Sequence, residues 1–173
     1  MDRTSSSPFT ITRNVLLGLL AICCMMFVIG ATAPLWQPRI SNTDALDDLR
    51  KTHPAAKWRS QPIAVADVLC EGKPGTVILG SEKDDVVVGV VSGLREHKTE
   101  VLSFPIRSDT QNGFCAFPIR IETYPLNCEP DIGALPGCKP IKGCRSFAVI
   151  DDECDSFNFY WDSSRRALGW WRH

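Results

Sequence analysis

Phe157–Arg172 reads FNFYWDSSRRALGWWR. Phe157, Phe159 and Trp161 alternate with Asn158, Tyr160 and Asp162, the two-residue period of a strand that buries one apolar face. The polar Ser163-Ser164-Arg165-Arg166 follows, and then ALGWWR. This spacing predicts a terminal β-hairpin with an aromatic face turned inward. Trp170 and Trp171 are neighbours, so on a strand they face opposite ways. One sheet face cannot cover both, and one of them belongs to a second core layer or to an exposed patch.

Working back along the chain, the same signal recurs. Val77–Leu79 and Val86–Val91 are β-branched runs too short for helices and bounded by Gly, Ser and charge. Glu100–Arg107 and Phe114–Tyr124 are further candidate strands. Each carries a proline, Pro105 and Pro118, which places them at edges or bulges. Asn112-Gly113 between them suits a turn with positive φ. The expected fold is therefore mainly β. Residues 63–173 form a compact antiparallel β-sandwich or barrel-like domain of seven or eight short strands. Residues 37–62 form a juxtamembrane connector with a short spacer helix. Ser41–Asp44 caps it, Ala45, Leu46 and Leu49 give it a narrow apolar stripe, and Pro54 stops it near His53.

The connector is called juxtamembrane because of what precedes it. Val15–Trp36 reads VLLGLLAICCMMFVIGATAPLW, and no charge occurs between Arg13 and Arg39. As a helix the run is about 33 Å long, enough for a hydrocarbon core of roughly 30 Å. Residues 14–36 are expected to be a transmembrane signal anchor in contact with lipid, with 1–13 as a short cytoplasmic head. Cleavage after Ala31-Thr32-Ala33 competes, but it would leave Pro34 in the protease cleft, where its fixed φ fits badly. A lipoprotein signal is set aside because Ile22, not a small residue, precedes Cys23. Arg3, Arg13 and the α-amine on one side, against basic residues mixed with Asp44, Asp47 and Asp48 on the other, favour the N-terminus inside.

Cysteine usage agrees with that orientation. Of 8 cysteines, Cys23 and Cys24 lie in the apolar run. Cys70, Cys115, Cys128, Cys138, Cys144 and Cys154 all lie beyond it, an even set suited to an oxidising compartment. No Cys-x-x-Cys pair supports a zinc site or a thioredoxin-like role. Three disulfides are expected. Tyr124–Arg145 is rich in Pro, Gly and Cys, so the expected pairing keeps Cys128, Cys138, Cys144 and Cys154 among themselves and joins Cys70 to Cys115.

Candidate chemistry is sparse. Beyond Trp36 the chain has 17 basic and 19 acidic residues, so no basic surplus drives phosphate binding, and a nucleic-acid partner is not expected. His53, His97 and His173 are far apart, and no nucleophile elbow is present. Asp151-Asp152-Glu153 with Asp155 lacks the alternation of a calcium loop. Gly72–Thr76 lacks P-loop spacing. No catalytic residue, metal or cofactor is assigned. Arg165, Arg166, Trp170, Trp171 and Arg172 form the candidate partner-binding surface, combining cations with exposed indoles. The expected function is a membrane-anchored extracytoplasmic interaction or assembly subunit with a membrane-associated protein partner. Its expected place is a bacterial inner membrane, single pass, with the C-terminal domain in the periplasm; the lack of an Asn-x-Ser/Thr sequon fits, and a eukaryotic extracellular or lumenal side stays open. The alternatives are an extracytoplasmic hydrolase using carboxylates and a cleaved secreted or periplasmic binding protein.

Overall fold

The computed structural model describes residues 41–60, 64–94, 98–107 and 112–172. The head 1–13, the apolar segment 14–36, His97 and His173 lie outside the described residues. Among the described residues, no helix is long and apolar enough to cross a membrane.

The domain is mainly β, in two antiparallel sheets. The described residues begin with α1 (Asn42–Thr52), then β1 (Lys57–Trp58), β2 (Ala64–Ala66), β3 (Gly75–Glu82), β4 (Asp85–Val91) and β5 (Thr99–Pro105). Next come β6 (Arg120–Pro125), β7 (Arg145–Ile150), β8 (Phe157–Asp162) and β9 (Ala167–Arg172). The first sheet runs β1-β3-β4-β5 with β2 also on β3, and the second runs β6-β7-β8-β9. Val77, Leu79, Val88 and Phe104 of the first sheet share a buried core with Phe147, Val149, Phe157 and Phe159 of the second. Phe147 and Phe159 are cross-strand partners, and their rings stack with centroids 4.7 Å apart.

Strand alternation explains the opposite face of the first sheet. Ile78 and Val91 point away from the core between the sheets and meet Ala45, Leu46 and Leu49 of α1. The helix starts at Ser41, whose hydroxyl accepts from the Asp44 N–H at 3.2 Å. It ends at His53, before Pro54. It is therefore a packed layer of the domain, not a free spacer. Gly89 makes room for it: a Cβ there would stand 2.5 Å from Leu49 Cδ2 and 2.8 Å from the Trp58 ring.

Several strands differ from the sequence expectation. Residues 114–119 are not strand, and β6 begins only at Arg120. Arg145–Ile150, within a stretch expected to lack regular structure at its start, forms β7 at the interior of the second sheet. The cysteine pairing also differs. The bridges are Cys70–Cys144, Cys115–Cys154 and Cys128–Cys138. Only Cys128–Cys138 falls within the expected set. Cys144 instead ties the β6–β7 connection to the segment before β3, where the Arg145 N–H also donates to Asp67 O at 2.9 Å. Cys154 ties the β7–β8 loop to the segment before β6. Chain spacing suggested local closure, whereas the bridges follow which loops lie side by side at Cα separations of 4.8 to 5.9 Å.

Candidate functional site

The residues that alternate with the aromatic core of β8 decide the site. Asn158, Tyr160 and Asp162 face away from Phe157 and Phe159, yet all three are buried. What covers them is the β6–β7 connection, residues 126–144. Cys128–Cys138 closes this loop on itself, and Leu135 is its buried centre. The Leu135 N–H donates to Cys128 O at 2.9 Å. Tyr160 Oη donates to Pro136 O at 3.0 Å, and the Ser163 N–H donates to Gly137 O at 2.8 Å. Gly137 has φ +68°, and a Cβ there would collide with Asp162 Oδ1 at 1.8 Å. The loop is thus clamped onto one end of the outer sheet face.

At the other end the cover lifts and leaves a cavity of about 250 Å³. Its floor comes from all four strands: Tyr124 on β6, Ser146 on β7, Asn158 on β8 and Trp171 on β9. Register brings them together, since Tyr124 pairs with Ser146 and Asn158 pairs with Trp171. Asn127, Pro130 and Asp131 of the loop form the wall. Tyr124 Oη donates to Asn158 Oδ1 at 2.8 Å. Burial pushes the Tyr124 phenol up to about 12, so it keeps its proton. The Asn158 amide donates to the Ser156 carbonyl at 3.1 Å and the Ser156 hydroxyl at 3.2 Å. Ser146 is 2% exposed, and its hydroxyl has no hydrogen-bond partner among the described residues. A buried hydroxyl left unpaired is costly.

The five residues of the expected partner surface are not brought together. Trp170 faces the core side of β9 at its edge, 38% exposed, with its ring against Phe104 and Phe157. Arg172 shares that face but is tied down: Nε donates to Asp155 O at 3.0 Å and Nη1 to Gly113 O at 2.9 Å. Trp171 lies on the opposite face, in the cavity. Arg165 and Arg166 occupy the β8–β9 turn, about five strand residues or 17 Å from Trp171. Arg165 stands 4.0 Å from Asp162, and the Arg166 carbonyl accepts from Lys98 Nζ.

The acidic cluster is structural. Asp151 is buried and accepts from the N–H groups of Cys115 at 2.6 Å, Cys154 at 2.8 Å and Glu153 at 3.2 Å. Burial alone would raise its pKa, but these backbone donors, with that of Ala116, outweigh burial and hold the carboxyl below the usual range. Cys115, Asp151 and Cys154 bring potential ligand atoms within 4.8 Å of one another. The two sulfurs are bonded to each other, so no thiolate is on offer to a metal. Asp152 is exposed and pairs with Arg120, while Glu153 and Asp155 face solvent.

No family model, curated protein or solved structure matches the chain.

Of these cavity residues, Trp171 was legible in the sequence as a candidate, and Tyr124, Asp131, Ser146 and Asn158 were not. One signal was present: polar Asn158 and Asp162 and amphipathic Tyr160 occupy the second face of an aromatic strand. Such a face needs a polar cover, and the Pro- and Gly-rich 126–144 segment supplies one.

Proposed function

We propose that this protein is a membrane-anchored extracytoplasmic interaction subunit. Residues 14–36 hold it in the bilayer, and the disulfide-bonded domain receives a group from a membrane-associated partner in the cavity on the second sheet. The observation that carries this reading is the cavity itself. It is lined by all four strands of that sheet, with Trp171 in its floor. The three disulfides support an oxidising compartment. They also hold the loop in place, which lowers the ordering cost of binding. An anchor adds effective concentration near a partner in the same membrane. Among the described residues the cavity carries one carboxylate, Asp131, which supports binding over paired-carboxylate hydrolysis.

The test is photo-crosslinking of the full chain in membranes. A crosslinker at exposed Ile132, beside the cavity wall, is expected to give one discrete adduct that Trp171→Ala abolishes. The same crosslinker at Lys83, in the turn after β3, is expected to give none. Equal adducts at both positions, or none at 132, would overturn the interaction reading. A soluble form beginning at Pro34 would replace the anchor with the cleaved binder.

A further inference from the structure

The cavity wall offers a ligand both a donor and an acceptor. Asn127 Oδ1 accepts from the Glu129 N–H at 3.0 Å, which fixes the amide and leaves its Nδ2 protons without a partner among the described residues. The Asp131 carboxylate also has no hydrogen-bond or ion-pair partner among the described residues. No Lys or Arg lines the cavity. Both wall residues are exposed, yet the loop beneath them is fixed. Cys128–Cys138 staples it, and the Gly133 N–H donates to Pro130 O at 2.8 Å across the turn that holds Asp131. On the floor, Tyr124 and Asn158 bond each other, and the half-buried Trp171 lies with them.

We propose that this cavity binds a neutral pyranose ring, the unit of a glycan. The proposal rests on the binding role above and adds the ligand chemistry. A sugar hydroxyl both donates and accepts, so one ring gives protons to the Asp131 carboxylate and takes them from the Asn127 amide. An anion meets Asp131 with no compensating cation, and an ammonium has no acceptor for the Asn127 protons. An apolar ligand covers both groups and leaves them unpaired. A simple amide carries a donor and an acceptor, but it is too small to cover the aromatic floor. The C–H bonds on one face of a pyranose suit the negative face of an aromatic ring, and Trp171 and Tyr124 are the aromatic groups of the floor. Pockets for drug-sized molecules run to roughly 300–1,000 Å³. A cavity of about 250 Å³ takes a single ring with its substituents and leaves further units of a chain outside. The stapled loop holds its donor and its acceptor in place before the ligand arrives, which lowers the cost of binding.

The ring comes either from a glycan chain or from a free monosaccharide, and both present the same hydroxyls. Titration of the full chain tests the chemistry, labelled with 5-fluorotryptophan, with disulfides intact, in a detergent that has no sugar headgroup. Trp171→Phe assigns the reporting 19F resonance. The probes are the methyl β-pyranosides of glucose, galactose, mannose and N-acetylglucosamine. At least one is expected to shift that resonance saturably, while the resonance of Trp58, on the other sheet, stays in place. n-Butylamine, acetamide and cyclohexanol are expected to leave both unmoved. Asp131→Asn, on the exposed loop, is expected to weaken binding about tenfold. Asn127→Asp keeps the acceptor for the Glu129 N–H, removes the donors, and is expected to weaken binding by a similar factor. Tighter binding of the matching linear oligosaccharide than of its methyl glycoside points to a glycan chain, and equal or weaker binding to a free sugar. No saturable shift with any pyranoside, an equal response to cyclohexanol or acetamide, or binding unchanged in either variant would overturn the proposal. Those outcomes leave the crosslinking result at Ile132 untouched, so the two failures are separable.

Discussion

Asp151 shows what one buried carboxylate does in a loop that carries a disulfide. Its oxygens collect the N–H groups on both sides of Cys115–Cys154, so the bridge and the carboxylate fix the same two segments. Asp151→Asn keeps the shape but removes the charge and leaves one acceptor oxygen in place of two. A loss of about 2 kcal/mol is expected in urea unfolding. The folded carboxyl lies below its unfolded value, so its stabilisation is complete above the ordinary aspartate pKa of about 3.9 and drains away as pH falls through the folded value. Asp162 works in the same direction: the Ser164 hydroxyl bonds its charged form most strongly, and the Ser164 and Arg165 N–H groups add to this against burial. Urea midpoints taken down an acid series are expected to fall less steeply for Asp151→Asn than for the native chain. Parallel curves would show that Asp151 does not carry the acid dependence.

At the scale of elements, α1 and β4 meet through an absence of side chain. Leu49, fully buried, occupies the space that Gly89 leaves. Gly89→Ala is expected to cost about 2 kcal/mol through overpacking, and Leu49→Ala about 3 kcal/mol through a cavity. The double variant is expected to lose less than the two single losses together, because each change relieves the other. Strict additivity in thermal or urea unfolding would mean that the helix shifts freely on the sheet. The helix itself was legible from its Ser41 cap, its stripe of Ala45, Leu46 and Leu49, and Pro54. Its docking was not, because a stripe that narrow fits a free spacer as well as a packed layer. β7 was missed because Ser146–Ile150 adjoins the Cys- and Pro-rich stretch, whose composition hid a six-residue strand buried on both faces.

Across the whole molecule, the bridges close loops of different length. The sequence separations are 74 for Cys70–Cys144, 39 for Cys115–Cys154 and 10 for Cys128–Cys138. Chain entropy assigns about 4 kcal/mol to the longest and about 3 kcal/mol to the shortest. Replacing Cys70 and Cys144 by alanine is expected to lower the thermal midpoint more than replacing Cys128 and Cys138. The second pair of substitutions has its own signature: it frees the loop that walls the cavity, so the crosslinked adduct at Ile132 is expected to be lost out of proportion to stability. An unchanged adduct in that variant would show that the loop holds its place through Leu135 and the Tyr160–Pro136 bond alone.

Local sequence by itself determined the period-two strands, the aromatic face of Phe157, Phe159 and Trp161, the opposed directions of Trp170 and Trp171, and an even set of six cysteines beyond a long uncharged run. These follow from backbone geometry and residue chemistry within a few positions of one another. Tertiary structure alone decided which sulfurs meet, which face of the second sheet the 126–144 loop covers, and that Tyr124, Asp131, Ser146, Asn158 and Trp171 surround one cavity. Those residues span 48 positions of chain. Only strand register and loop closure bring them within reach of a common ligand, and neither is written in the spacing of the residues themselves.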